Sequence, residues 1–232
     1  MKVAMLLLAA GRGSRFGGPI PKAYLPLLGK PLVLHSAERL ARAVDLRAGN
    51  QLIVVVHRDD RSSHLLPIQA ALQALGDVRF AEGGDSRQES MQNGLAIADA
   101  DADLILVHDA ARALFPINAA QECVAAAAAS GAALLALPVP DTLKRVCDGH
   151  VTATVDRTNL WQAQTPQVIR RDLLLRAFAH ATATGFAGTD DVSLVEHLGE
   201  RVAVVMGSAT NLKVTRPEDL PLATALLAAG IA

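Results

Sequence analysis

The residues of this chain that could do chemistry lie in a few short stretches. The densest is 8–22, L-A-A-G-R-G-S-R-F-G-G-P-I-P-K. Gly11, Gly13, Gly17 and Gly18 let a backbone turn sharply and come close to a ligand. Arg12, Arg15 and Lys22 add cations to the same loop. Exposed N–H groups and cations together suit a polyphosphate. Pro19 and Pro21 stiffen the exit, so Lys22 is held in place. The stretch therefore reads as a loop for a nucleoside triphosphate. It is not the dinucleotide fingerprint: in Gly11, Gly13, Gly17 the third glycine comes one place late, and Glu38, near the offset of the ribose-binding acid, falls in a helical pattern. Nor is it the G-x-x-x-x-G-K-[ST] loop, because no glycine directly precedes Lys22 and Ala23 follows it.

Three further stretches follow apolar runs, at 83–90, 108–112 and 138–144. G-G-D-S-R-Q-E-S at 83–90 leads into a helical pattern whose N-terminus can face a phosphate or a base. H-D-A-A-R at 108–112 follows a buried run directly, so Asp109 is either a helix cap or a magnesium ligand. Opposite a triphosphate loop the ligand reading gains, because Mg²⁺ needs only one or two carboxylates when phosphates supply the rest. His108 reads as a packing or hydrogen-bonding residue and not as a base. Taken alone, Arg157 and Lys213 read as solvated surface charges. Asp190 and Asp191 precede an apolar-periodic run, read as helix N-capping residues and are left outside the site. Trp161 reads as a core or interface anchor.

The elements that must position these groups alternate between strand and helix. Strands are expected at 3–8, 51–56, 78–81, 104–107, 132–137, 167–169 and 201–205. Helices are expected at 32–44, 62–75 with a break at Pro67, 86–98 capped by Asp85, 116–129 stopped by Gly131, 170–183, 191–198 and 217–229. This rhythm predicts an α/β fold, a doubly wound and mainly parallel sheet. In such a sheet ligands sit beyond the carboxyl ends of the strands, where the stretches above fall. One segment breaks the rhythm. Runs 142–146 and 151–155 are rich in β-formers around Asp148-Gly149, a hairpin signal, and read as an arm leaving the main body.

Composition narrows the function class. The 232 residues fit one domain, 51% are hydrophobic, and only 3% are aromatic, so the core is aliphatic and no base-stacking platform is expected. A net charge of −1 gives no field for nucleic acid, so the local cations point to a small anionic ligand. Cys123 and Cys147 have no metal-ligand spacing and read as small buried hydrophobes in a reducing cytoplasm. The start, K-V-A-M-L-L-L-A-A, superficially resembles a signal peptide but serves as the first strand. No membrane span is expected.

Several motifs occur in order: L-A-A-G-R-G-S-R-F, P-K-A-Y-L, G-G-D-S-R-Q-E-S-M-Q-N-G-L, V-H-D-A-A-R, D-T-L-K, L-W-Q-A-Q-T-P-Q, T-D-D-V-S-L-V-E and N-L-K-V-T-R-P-E-D-L. Together they resemble the 2-C-methyl-D-erythritol 4-phosphate cytidylyltransferases of non-mevalonate isoprenoid biosynthesis, over nearly the whole chain. The resemblance implies a Rossmann-like single domain over 1–232, with a β-arm at 139–160 that exchanges with a partner in a homodimer. It implies that Ala9, Ala10, Gly11 and Gly13 wrap CTP and that Arg15 and Lys22 hold the triphosphate and stabilise the transition state. Gly84, Asp85 and Ser90 would read cytosine and ribose, and Asp109 would bind Mg²⁺. Arg112, Thr142, Arg157, Thr165 and Lys213 would surround the methylerythritol phosphate, with Arg157 and Thr165 supplied by the partner's arm. Leu8, Phe16, Ala23 and Ala113 depart from the family's usual proline, methionine, glutamine and proline, and none of these changes removes a charged group.

The implied nucleophile is already an anionic phosphate oxygen, so the reaction needs no general base. Positioning and electrostatic stabilisation suffice, and Arg15, Lys22, Arg157 and Lys213 are the groups expected to supply them. Two alternatives stand beside this reading: a ribitol 5-phosphate cytidylyltransferase, which shares most of the motifs, and a non-catalytic nucleotide-binding regulator. Retention of Arg15, Lys22, Asp109 and Lys213 together argues against the regulator.

Overall fold

A six-residue run with no polar side chain can be satisfied only where both faces of a strand are covered. The computed structural model, which describes residues 1–11, 13, 16, 18 and 20–231, places β1 (Val3–Leu8) in that position. In chain order there follow β2 (Pro26–Leu27), β3 (Lys30–Pro31), α1 (Leu32–Ala43), β4 (Gln51–Val56), α2 (Leu66–Gln73) and β5 (Val78–Glu82). Next come α3 (Arg87–Ile97), β6 (Leu104–Asp109), α4 (Ile117–Ser130), β7 (Ala132–Pro138), β8 (Leu143–Cys147) and β9 (His150–Val155). The chain closes with β10 (Trp161–Arg170), α5 (Arg171–Thr184), α6 (Ser193–His197), β11 (Ala203–Met206) and α7 (Asp219–Ala228).

Seven strands form one sheet in the order β11-β7-β10-β6-β1-β4-β5. β1 runs parallel to β4 and β6, β4 parallel to β5, and β11 parallel to β7, whereas β10 is antiparallel to both its neighbours. Alternation along the strands sends side chains to opposite layers. Met5, Leu7, Leu52, Val54 and Leu106 pack with α1, α2 and α4, while Leu6, Ile53, Val55, Ile105 and Val107 pack with α3, α5 and α6. A smaller cluster joins Leu25, Leu27, Leu32, Leu114 and Val214 to Ala223 of α7.

Register matters most for the site. Leu8 pairs with Val55 on one side and Asp109 on the other, so β1, β4 and β6 end at the same edge. Because β10 runs the other way, its first half enters at that edge: Gln167 pairs with Val107, and Thr165 lies farther along, beside Asp109.

The hairpin β8–β9 forms its own two-stranded sheet. Asp148 and Gly149 both have positive φ, 50° and 79°, the signature of a tight primed turn. Almost every side chain of the hairpin is exposed, Val146 and Val151 among them.

Some expectations shift. The segment 61–73 is a π-helical turn (Arg61–Leu65) followed by α2, and Pro67 sits in the first turn of α2 instead of breaking it, since that position needs no N–H donor. Asp85 does not cap α3. Ser86 does, its Oγ accepting from Glu89 N at 3.0 Å, while the Glu89 carboxylate accepts from Asp85 N at 2.8 Å. Asp190 accepts from Ser193 N, as a cap does, but Asp191 does not. Cys123 is buried as expected, whereas Cys147 is exposed on a hairpin whose side chains are almost all exposed. Trp161 is 42% exposed and so does not anchor this chain's core.

Candidate active site

Beyond the aligned strand ends lies a cavity of about 590 Å³. Leu8, Ala9, Ala10 and Gly11 line it from the end of β1, Lys22 and Ala23 from the following turn, and His57 from the end of β4. Gly84, Asp85, Ser86, Arg87 and Ser90 line it from the β5–α3 turn, and Asp109, Ala110, Ala111 and Lys213 from the opposite wall.

The loops are locked at the backbone. Ala9 N donates to Val55 O at 2.8 Å, Ala110 N to Leu8 O at 3.1 Å, and Gly83 N to Val56 O at 2.8 Å. A side chain on Gly83 would start 2.3 Å from Ala10 Cβ, so only glycine lets these turns approach. Gly13, at φ +62°, packs against Lys22, where a Cβ would meet Lys22 Cβ at 2.9 Å. Lys22 opens a short 3₁₀ turn, Lys22–Tyr24, whose N–H donors bond back to Pro21 and Lys22. Arg12, Ser14, Arg15, Gly17 and Pro19, and with them the expected role of Arg15, lie outside the described residues.

Asp109 is the electrostatic centre. It is buried, and among the described residues Arg87, Lys213 Nζ at 2.7 Å and, more loosely, Arg112 Nε at 3.7 Å face it. Burial alone would raise its pKa, but Arg87 and Lys213 win and hold the carboxyl far below the usual range. Arg112 is itself pinned, with Nη1 donating to Asn211 O at 2.7 Å, and burial lowers its pKa.

Thr165 stands under this centre in its own chain. Its Oγ1 accepts from Asp109 N at 3.1 Å and lies 3.0 Å from His108 Nδ1. The hydroxyl then donates to His108, whose Nε2 faces Arg112 O at 3.0 Å. Burial pushes the His108 pKa down to about 3, so the ring is a neutral strut in this chain of bonds. The expectation that Thr165 comes from a partner's arm is thereby corrected. Antiparallel β10 is a central strand, and it carries Thr165 to its own Asp109.

Of the expected site residues, the cavity brings together Ala9, Ala10, Gly11, Lys22, Gly84, Asp85, Ser90, Asp109 and Lys213. Arg112 and Thr165 stand behind Asp109. Thr142 and Arg157 are exposed at the arm's base, where Arg157 Nη1 donates to Pro140 O, and neither lines the cavity.

Sequence reasoning missed His57, Ser86, Arg87 and Asp191. Arg87 is the important omission. It begins α3, lines the cavity and joins Asp109 to buried Asp191. The available signal was its place in G-G-D-S-R-Q-E-S, one turn after a strand end. Asp191 gave none, because its partner is 104 positions away in sequence.

Among the described residues, no group of three or more His, Cys, Asp or Glu side chains could hold a divalent cation. Asp109, which with Asp85 is one of two carboxylates lining the cavity, fits Mg²⁺ only if phosphates and water complete the shell, which is how Mg²⁺ is commonly held.

The chain was compared with known proteins. The sequence pattern of the family described as "IspD: 2-C-methyl-D-erythritol 4-phosphate cytidylyltransferase" matches residues 3–229. A Chromobacterium violaceum protein of that name is 45% identical over 227 residues, covering 97% of each chain. A chloroplastic relative from Oryza sativa is 38% identical over 97% of this chain and 74% of its own length. The solved Thermus thermophilus cytidylyltransferase of the same name superposes with a TM-score of 0.79 at 34% identity, covering 97% of this chain and 98% of its own. A 4-diphosphocytidyl-2C-methyl-D-erythritol synthase from Anaerococcus prevotii gives a TM-score of 0.81 at 26% identity, covering 97% and 96%.

Proposed function

The chain belongs to the 2-C-methyl-D-erythritol 4-phosphate cytidylyltransferase family, and from that premise we infer that its cavity transfers the cytidylyl group of CTP to 2-C-methyl-D-erythritol 4-phosphate. Pyrophosphate leaves, and 4-diphosphocytidyl-2-C-methyl-D-erythritol forms, a step in isoprenoid precursor synthesis. The observation that carries the reading is the placement of Lys22, Arg87, Lys213 and Asp109 around one cavity at the strand ends, facing the 84–90 turn.

The chemistry asks for little more. The incoming phosphate oxygen is an anion, so no base has to act. What has to be overcome is repulsion between two anions and charge build-up at the α-phosphorus. Lys22 and Lys213 line the walls where that charge would gather, and Gly11 lets the backbone approach the phosphates. Gly84, Asp85 and Ser90 face the base and ribose, with Ser90 Oγ bracing the turn by accepting from Gly84 N at 3.1 Å. Bound Mg²⁺ would be held by Asp109 and would neutralise phosphate charge.

Pyrophosphate release is the test. With Mg²⁺ present, CTP is expected to be turned over in preference to UTP, ATP and GTP, and 2-C-methyl-D-erythritol 4-phosphate in preference to ribitol 5-phosphate. Equal use of UTP would remove the assigned base contacts, and preference for ribitol 5-phosphate would reassign the acceptor.

A two-fold homodimer joined through the arm at 139–160 belongs to the same proposal. Val146, Val151, Leu160 and Trp161 are exposed together on or beside a hairpin that forms its own two-stranded sheet. Isolated hairpins are marginal in water, and exposed apolar patches mark contact surfaces. Arg157, and with it Thr142, would then serve the other subunit's site. Mixing Lys22→Ala and Arg157→Ala chains is expected to restore activity after subunit exchange, because one site of the mixed dimer carries both lesions and the other none. If activity stays absent with exchange confirmed by mass spectrometry, Arg157 serves its own chain. Cys123 and Cys147 are free thiols, in keeping with a cytoplasmic location. Among the described residues, no helix is long and apolar enough to cross a membrane.

A further inference from the structure

Arg87 is gripped from behind. Its Nε donates to Asp191 Oδ1 at 3.1 Å and its Nη2 to Oδ2 at 2.6 Å, a two-point fit of guanidinium to carboxylate. That leaves Nη1 to reach forward to Asp109 Oδ1. Asp191 is 1% exposed and has no path to the ligand itself. Its own loop is fixed by Gln167 on β10, whose Oε1 accepts from Asp191 N at 3.0 Å and Val192 N at 2.9 Å. Gln167 Nε2 donates to Asp190 Oδ2 at 2.8 Å.

We propose that Asp191 is a positioning residue that acts through Arg87 on Asp109. One face of the guanidinium is committed to Asp191, so Arg87 cannot swing out into the cavity or fold over the Asp109 carboxylate. It meets one oxygen, Oδ1, and Oδ2 is left toward Lys213. Asp109 is thus oriented from two directions, by Thr165 at its backbone N–H and by Arg87 at its side chain. Burial raises the Asp191 pKa and the Arg87 guanidinium opposes the rise. A lysine at 87 could not do the same, because it lacks the planar fork that binds one carboxylate with two nitrogens while a third reaches another.

This inference rests on the cytidylyltransferase reading for its kinetic arm, and a spectroscopic arm stands apart from it. In full-length protein labelled with ¹⁵N-arginine, the Arg87 Nε–H, assigned by its loss in Arg87→Lys, is expected as a sharp, slowly exchanging resonance. It should broaden or vanish in Asp191→Asn. In the kinetic arm, Asp191→Asn is expected to lower kcat about 10-fold or more, the scale of a small misplacement of reacting groups, with KM for CTP changed far less. In an Arg87→Met background the same substitution should add less than about a further 2-fold, since residues acting as a unit are not additive. A resonance unaffected by Asp191→Asn, or losses that multiply independently, would overturn the proposal. Should Asp191→Asn not fold, Arg87→Lys takes its place: a similar fall in kcat is expected, and wild-type turnover would overturn the proposal equally. Wild-type protein without pyrophosphate release would instead overturn the functional reading and leave the spectroscopic result standing.

Discussion

Replacing Lys22 by alanine is expected to lower kcat by about 10²-fold or more, the loss seen when a preorganised charge-stabilising group is removed from a transition state. The side chain reaches the cavity from a 3₁₀ turn whose backbone bonds do not depend on it. The fold should therefore stand, and a thermal midpoint within a few degrees of wild type is the control. Among the described residues, Gly13 packs against the stem of Lys22 and the rigid Pro21 precedes it. Steady-state kinetics at saturating CTP read the effect directly. A near-normal kcat would place Lys22 among groups that merely decorate the loop.

The second large effect belongs to Asp109. Asp109→Asn keeps the shape and removes the charge around which Arg87, Lys213 and Arg112 gather. Activity is expected to fall by at least about 10²-fold, because those cations lose the partner that arranges them. Stability should fall too. Removing one partner of a buried pair costs about 3–5 kcal/mol, and the low end applies because Lys213 is 37% exposed and partly screened. For a chain of this size that is a drop of about 6–12 °C in Tm.

The pH dependence follows from the direction of the shift. The folded carboxyl is held below its unfolded value, so its contribution is fully present above the unfolded pKa of about 4 and is lost as pH falls below that. The Tm gap between wild type and Asp109→Asn should be constant near neutrality and shrink below about pH 4. A gap that widens in acid would show that Asp109 is not the stabilising anion.

Part of this protein could be read directly from its residues. Runs such as Val3–Leu8 and Gln51–Val56 can be satisfied only as strands covered on both faces, and the helical patterns between them then require crossovers and a parallel sheet. Asp148-Gly149 announced its turn because consecutive positive φ angles leave few other choices. The β1 loop, the 83–90 turn and Asp109 were legible because each follows a strand, and the carboxyl edge is where an α/β sheet binds. Tertiary structure decided the rest, for one physical reason: long-range ion pairs and strand order leave no local trace. Nothing near Asp191 says that its partner is Arg87, 104 positions away, so it reads as a cap until α3 and the loop before α6 are brought together. Thr165 reads as part of an arm until β10 is seen to run antiparallel between β6 and β7, which places its hydroxyl on the backbone of Asp109.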